Sequence, residues 1–126
     1  MDRLYTNAAQ IKPIEGYEDI VVLGDRFGFV YRDADGNEKA NISVEEFAEI
    51  VKGMPSYHGS AIRLISCESG AEGAITAQYL ADMMGVNILA PSDIVWVDEK
   101  GHMTIGPTPL TNTGEWVIFK PRGRKR

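Results

Sequence analysis

Ala61-Ile62-Arg63-Leu64-Ile65-Ser66-Cys67-Glu68-Ser69-Gly70-Ala71 is an apolar run of strand length that ends on the chain's only cysteine and passes into small and polar residues. A continuous run, as opposed to an alternating one, is the pattern of an interior parallel strand covered on both faces. Beyond it Ala74, Ala77, Leu80, Ala81 and Met84 follow a helical period, and Gly85 stands where a left-handed cap closes a helix. The stretch therefore predicts strand, turn and helix, with the helix over 71–84. In open α/β sheets the carboxyl ends of the strands gather ligands and catalytic groups. A thiol at that edge, facing the first N–H groups of a helix, is favoured as thiolate. Cys67 is accordingly the first candidate for chemistry.

Working outward, residues 19–23 form a second β-branched run, ended by Gly24 and Asp25. Residues 27–31 are expected to return antiparallel, closed by a turn at 33–36. Ser43 and Glu46 make a capping box, and Val44, Phe47, Ala48 and Val51 place one apolar stripe on the helix that follows. Gly53 and Pro55 stop that helix. Downstream, residues 87–90 are a short strand terminated by Pro91, residues 94–105 a β-hairpin around 98–101, and residues 116–119 a last strand. Strand, helix, strand, helix, strand implies right-handed crossovers and a parallel core sheet. The expected architecture is a three-layer α/β domain over residues 18–121. Its mostly parallel central sheet carries helices on its faces, with a C-terminal antiparallel β appendage. Residues 1–17 are a lead-in with at most a helical turn near 7–10, and residues 122–126 a basic tail.

Composition narrows the function classes. With 126 residues, 44% hydrophobic and 25% charged, the chain suits one soluble domain with a single core. No apolar run approaches the roughly 18 residues of a membrane helix, and the first residues do not resemble a signal peptide. One cysteine forms no internal disulfide, and with two histidines it leaves no structural zinc site. The net charge is −5. Lys120, Arg122, Arg124, Lys125 and Arg126 sit together in the tail, so the body is more acidic than that figure suggests. An acidic body argues against nucleic-acid binding except through the tail, which is expected to be a solvated chain end.

The carboxyl edge of the predicted sheet gathers Asp25, Cys67, Glu68, Ser69, Gly70, Ser92 and Asp93. A cysteine hydrolase needs a thiolate, a base and N–H donors for the oxyanion. His58 lies at the opposite end of the Cys67 strand, a strand length of about 3.3 Å per residue away. His102 reaches Cys67 only if the hairpin folds over that edge. Glu68 opposes thiolate formation if it approaches the sulfur. Asp25 and Asp93 are a solvated rim before they are a cation site. Residues 68–73 lack the lysine of a phosphate loop and the G-x-G-x-x-G spacing, so no cofactor is expected. Trp96, Trp116 and Phe119 are packing residues of the appendage.

Four pieces in order carry a resemblance: Ile62-Arg63-Leu64-Ile65-Ser66-Cys67-Glu68-Ser69-Gly70, Ala77-Gln78-Tyr79-Leu80-Ala81, Ala90-Pro91-Ser92-Asp93-Ile94-Val95-Trp96-Val97 and Gly114-Glu115-Trp116-Val117-Ile118-Phe119-Lys120-Pro121. Together they resemble the terminal domains of bacterial polymorphic toxins and of Rhs- or hemagglutinin-type secreted proteins. The strand-Cys-Gly-helix piece alone is similar to the caspase-like clan of cysteine peptidases. The resemblance implies a caspase-like fold at the C-terminal part of a larger exported bacterial protein. It also implies Cys67 as nucleophile, a protein or peptide substrate, and a cognate immunity protein. The clan's histidine position falls on Leu23, so the dyad is incomplete and Asp25, Asp93 or His102 would have to serve. The alternative is a non-catalytic interaction module of the same fold, bound by an immunity or partner protein.

Overall fold

The computed structural model describes residues 7–24, 28–32 and 37–122. Within them the chain runs β1 (Tyr17–Val21), β2 (Leu23–Gly24), β3 (Phe29–Arg32), β4 (Glu38–Ile42), α1 (Val44–Lys52), β5 (Ala61–Ile65), α2 (Thr76–Met84), β6 (Ile88–Pro91), β7 (Val95–Val97), β8 (Met103–Ile105) and β9 (Trp116–Phe119). β5 is the interior strand that the 61–71 stretch predicts. It pairs in parallel with β1, Tyr17 opposite Ala61 through Val21 opposite Ile65, and with β6 through Ile62 opposite Ile88. The sheet order is β1-β5-β6-β9.

Period 2 along β5 divides the interior into two cores. Ile62 and Leu64 join Ile20, Val22, Ile88 and Ala90 in one cluster, together with Val44, Phe47, Ala48 and Val51 of α1 and Ala77, Leu80 and Ala81 of α2. Ile65 points the other way, into a cluster with Val95 and Ile105 of the β7–β8 hairpin. Both helices thus lie on one face and pack against each other, a correction to helices on both faces. The steps β1→β5→β6 move the same way across the sheet, and right-handed crossovers that do so leave their helices on the same side. The opposite face is covered by the hairpin and by residues 7–12.

The local reasons hold where the sequence is explicit. Ser43 accepts a hydrogen bond from the Glu46 N–H at 3.1 Å, and all four stripe residues of α1 are buried. Phe47 stacks on Phe29 of β3 with ring centroids 4.2 Å apart, tying α1 to the β2-β3-β4 sheet. Burial of such a side chain contributes roughly 1.5–3 kcal/mol. Gly85 closes α2 at φ 71°, in the left-handed region.

Three boundaries move. The helix expected from residue 71 begins at Thr76; residues 67–70 are turns, and Gly73 is left-handed at φ 82°. Pro91 closes β6 from inside the strand, opposite Trp116. β9 is no appendage: it joins the central sheet antiparallel to β6, and of the described C-terminal strands β7 and β8 alone form a separate sheet. β4 forms where no strand was expected, and the turn at 33–36 lies outside the described residues.

Candidate functional site

The carboxyl edge is built where β5 and β6 end side by side. Chain leaving β5 turns through 67–70 with Glu68 in the left-handed region at φ 58°. That turn is stitched to the end of β6: the Glu68 N–H donates to the Asp93 carbonyl at 3.1 Å and the Gly70 N–H to the Pro91 carbonyl at 2.9 Å. A Cβ on Gly70 would stand 2.8 Å from the Ala90 carbonyl oxygen, so only glycine permits this approach. Cys67, Glu68, Ser69, Gly70, Ser92 and Asp93 are therefore brought together as the topology predicts. Asp25 lies outside the described residues.

Their chemistry is another matter. Ser69 is buried and its hydroxyl donates to the Ser66 carbonyl at 2.9 Å, while its own carbonyl accepts from the Thr76 hydroxyl at 3.2 Å. The Ser92 hydroxyl accepts from the Glu115 N–H at 2.9 Å. Asp93 Oδ1 accepts from the Ile94 N–H at 2.7 Å. Each of these three side chains thus closes a turn or ties the end of β6 to the approach to β9. Cys67 is half-buried and packs against the Ile65, Val95 and Ile105 cluster. Because α2 starts at Thr76, Cys67 is not at a helix N-terminus, which removes the dipole argument for a thiolate.

The hairpin turns Val97 and Met103 toward that cluster, and His102 is not among its members. His102 is exposed, with Nδ1 3.3 Å from Asp98 Oδ2. The Asp98 carboxyl is held below its usual range, first by the His102 backbone N–H. His58 is exposed in the connection between α1 and β5, at the far end of the sheet. Among the described residues no three His, Cys, Asp or Glu side chains gather as a metal site, and no helix is long and apolar enough to cross a membrane.

Two groupings were not singled out by sequence. Buried Arg63 donates from Nε and Nη2 to the two Asp19 carboxylate oxygens, each at 2.7 Å, and from Nη2 to the Lys12 carbonyl at 3.0 Å. Its guanidinium lies 5.9 Å from the Trp116 ring centroid, so it ties the lead-in, β1, β5 and β9 together. The second grouping spans α2 and the end of the chain. Gln78 Nε2 donates to the Lys120 carbonyl at 2.8 Å and to Asp82 Oδ1 at 3.1 Å. Asp82 accepts from the Arg122 N–H at 2.8 Å, from Nε at 3.0 Å and from Nη2 at 2.6 Å. These bonds, the Arg122 side chain first, lower the Asp82 pKa to about 2. Arg122 is thus anchored, contrary to its assignment to a solvated tail; residues 123–126 lie outside the described ones. The only sequence signal for the pair is Gln78 and Asp82 at i and i+4 on one helix face.

Residues 1–105 match the model of a family described as a domain of unknown function, DUF8616, and the chain belongs to that family. No curated protein and no solved structure matches it.

Proposed function

We propose that this DUF8616 domain is a non-catalytic interaction module of a bacterial toxin-type secreted protein, bound by an immunity or partner protein. The observation that carries the reading is the internal use of the polar groups at the carboxyl edge. Ser69, Ser92 and Asp93 are held by bonds within the fold, and the His102 ring sits on Asp98. A cysteine hydrolase needs a base within reach of the thiol and donors aimed at an oxyanion. Here the nearby N–H groups of Glu68 and Gly70 are committed to the end of β6. The caspase-like assignment belongs to this proposal as fold ancestry. Parallel β1, β5 and β6 with a cysteine just beyond β5 support it, and Leu23 at the clan's histidine position supports loss of hydrolysis. The resemblance to polymorphic toxin domains supports a place in a larger exported protein.

The test is the rate of Cys67 alkylation by iodoacetamide from pH 5 to 9, with an unfolded control. A structural thiol reacts slowly in the folded chain and reaches full rate only on unfolding. Fast modification with an inflection well below the ordinary thiol value of about 8.5 would overturn the proposal and restore the hydrolase.

A further inference from the structure

β9 is an edge strand, held along its inner edge and packed on both faces, with Ile118 left 54% exposed. Its backbone pairs with β6 from Ile88 opposite Phe119 to Pro91 opposite Trp116. Phe119 packs on the helix-side core and Trp116 on the hairpin-side core. Past the strand, Gln78 takes the Lys120 carbonyl, and Asp82 takes both the backbone and the guanidinium of Arg122. The receiving surface is thus a strand edge with two flanking apolar clusters and a carboxylate at its end. β9 also lies beyond residues 1–105, the part that matches the family, so within the matched part β6 is the edge of the parallel sheet.

We infer that the groove between β6 and α2 is a strand-acceptor site. Its ligand class is an extended segment with apolar side chains on both faces and an arginine three residues past the last of them. The chain's own residues 116–122 occupy the groove in cis, and a partner protein's strand of that chemistry enters by displacing them. Main-chain pairing to β6 supplies affinity, and Asp82 supplies selection, by charge and by a forked hydrogen bond that lysine does not reproduce. The connection that would have to yield, residues 106–115, carries a fully outward Leu110, 96% exposed.

This deepens the interaction-module reading by naming the partner's chemistry. The test uses full-length chains and a fluorescent peptide carrying residues 113–126, followed by anisotropy. Arg122→Ala weakens the cis occupant and leaves the acceptor intact, so that chain should bind the peptide about fivefold more tightly than the unaltered one. Asp82→Ala damages the acceptor and should bring no such gain. A peptide with its own Arg122→Ala change should bind the Arg122→Ala chain about fivefold more weakly. Equal binding by the two variant chains, or none by either, overturns the inference. If a variant does not fold, chymotrypsin cleavage of the folded native chain after Leu110 replaces it. The retained C-terminal fragment should then exchange with added peptide, and a fragment that never exchanges overturns the proposal. Rapid Cys67 alkylation would remove the non-catalytic reading and leave the groove standing, so the two failures are distinguishable.

Discussion

Gly70 and Ser66 bracket the cysteine, and each makes a prediction of opposite sign. The Gly70 position faces the backbone of Ala90, which cannot swing aside as a flexible side-chain tip can. Gly70→Ala should therefore destabilise the chain by about 1–3 kcal/mol, read as a lower denaturation midpoint at unchanged slope. Ser66 is 1% exposed and its hydroxyl has no hydrogen-bond partner among the described residues. A buried hydroxyl left unpaired costs about 1–3 kcal/mol. Ser66→Ala should accordingly raise stability by about 1 kcal/mol in the same measurement; a loss would mean that the hydroxyl is engaged. At this scale the sequence was legible as to place and illegible as to use. Strand order alone brought Cys67, Ser69, Gly70, Ser92 and Asp93 to one edge. Whether a serine there points at a ligand or at the carbonyl of Ser66 depends on turn geometry that residue types do not encode.

Among the elements, α1 was the most legible, because a cap and an apolar stripe are both local signals. For α2 the stripe was legible and the start was not: Ala71 and Ala74 suit a helix, yet Gly73 adopts a left-handed φ and delays it. β4 escaped because Glu38-Lys39-Ala40-Asn41-Ile42 has little β-branched character, and it owes its strand form to pairing with β3. Asp19 and Arg63 sit side by side in the β1–β5 register, joining two elements through a buried guanidinium. Asp19→Ala leaves that charge unpaired and should cost about 3 kcal/mol in denaturant unfolding. The α2–Arg122 junction adds a pH dependence. The Asp82 pKa is lowered on folding, to about 2 from an ordinary value of 3.8. Its contribution is complete above pH ~4 and fades as pH falls toward 2. Asp82→Asn should flatten the thermal-stability profile in that window and leave its shape above pH 5 unchanged.

For the molecule as a whole, the class was legible and the arrangement only partly so. Alternating strands and helices gave a parallel core, but no local signal says which face a crossover helix takes. Nor does Trp116-Val117-Ile118-Phe119 say which strand it joins, since an apolar run fits any open edge. The structure ranks its own parts: β5 has neighbours on both sides and a core on both faces. Amide hydrogen exchange at Ile62, Leu64 and Ile65 should therefore proceed only through global unfolding, while Ile118 on the outer strand exchanges through local opening. The order of assembly during synthesis follows from the same topology. β1, β5 and β6 leave the ribosome before β9, so the nascent sheet ends on a bare β6 until the last strand emerges. That interval is when the sheet is most open to pairing with another chain's strand.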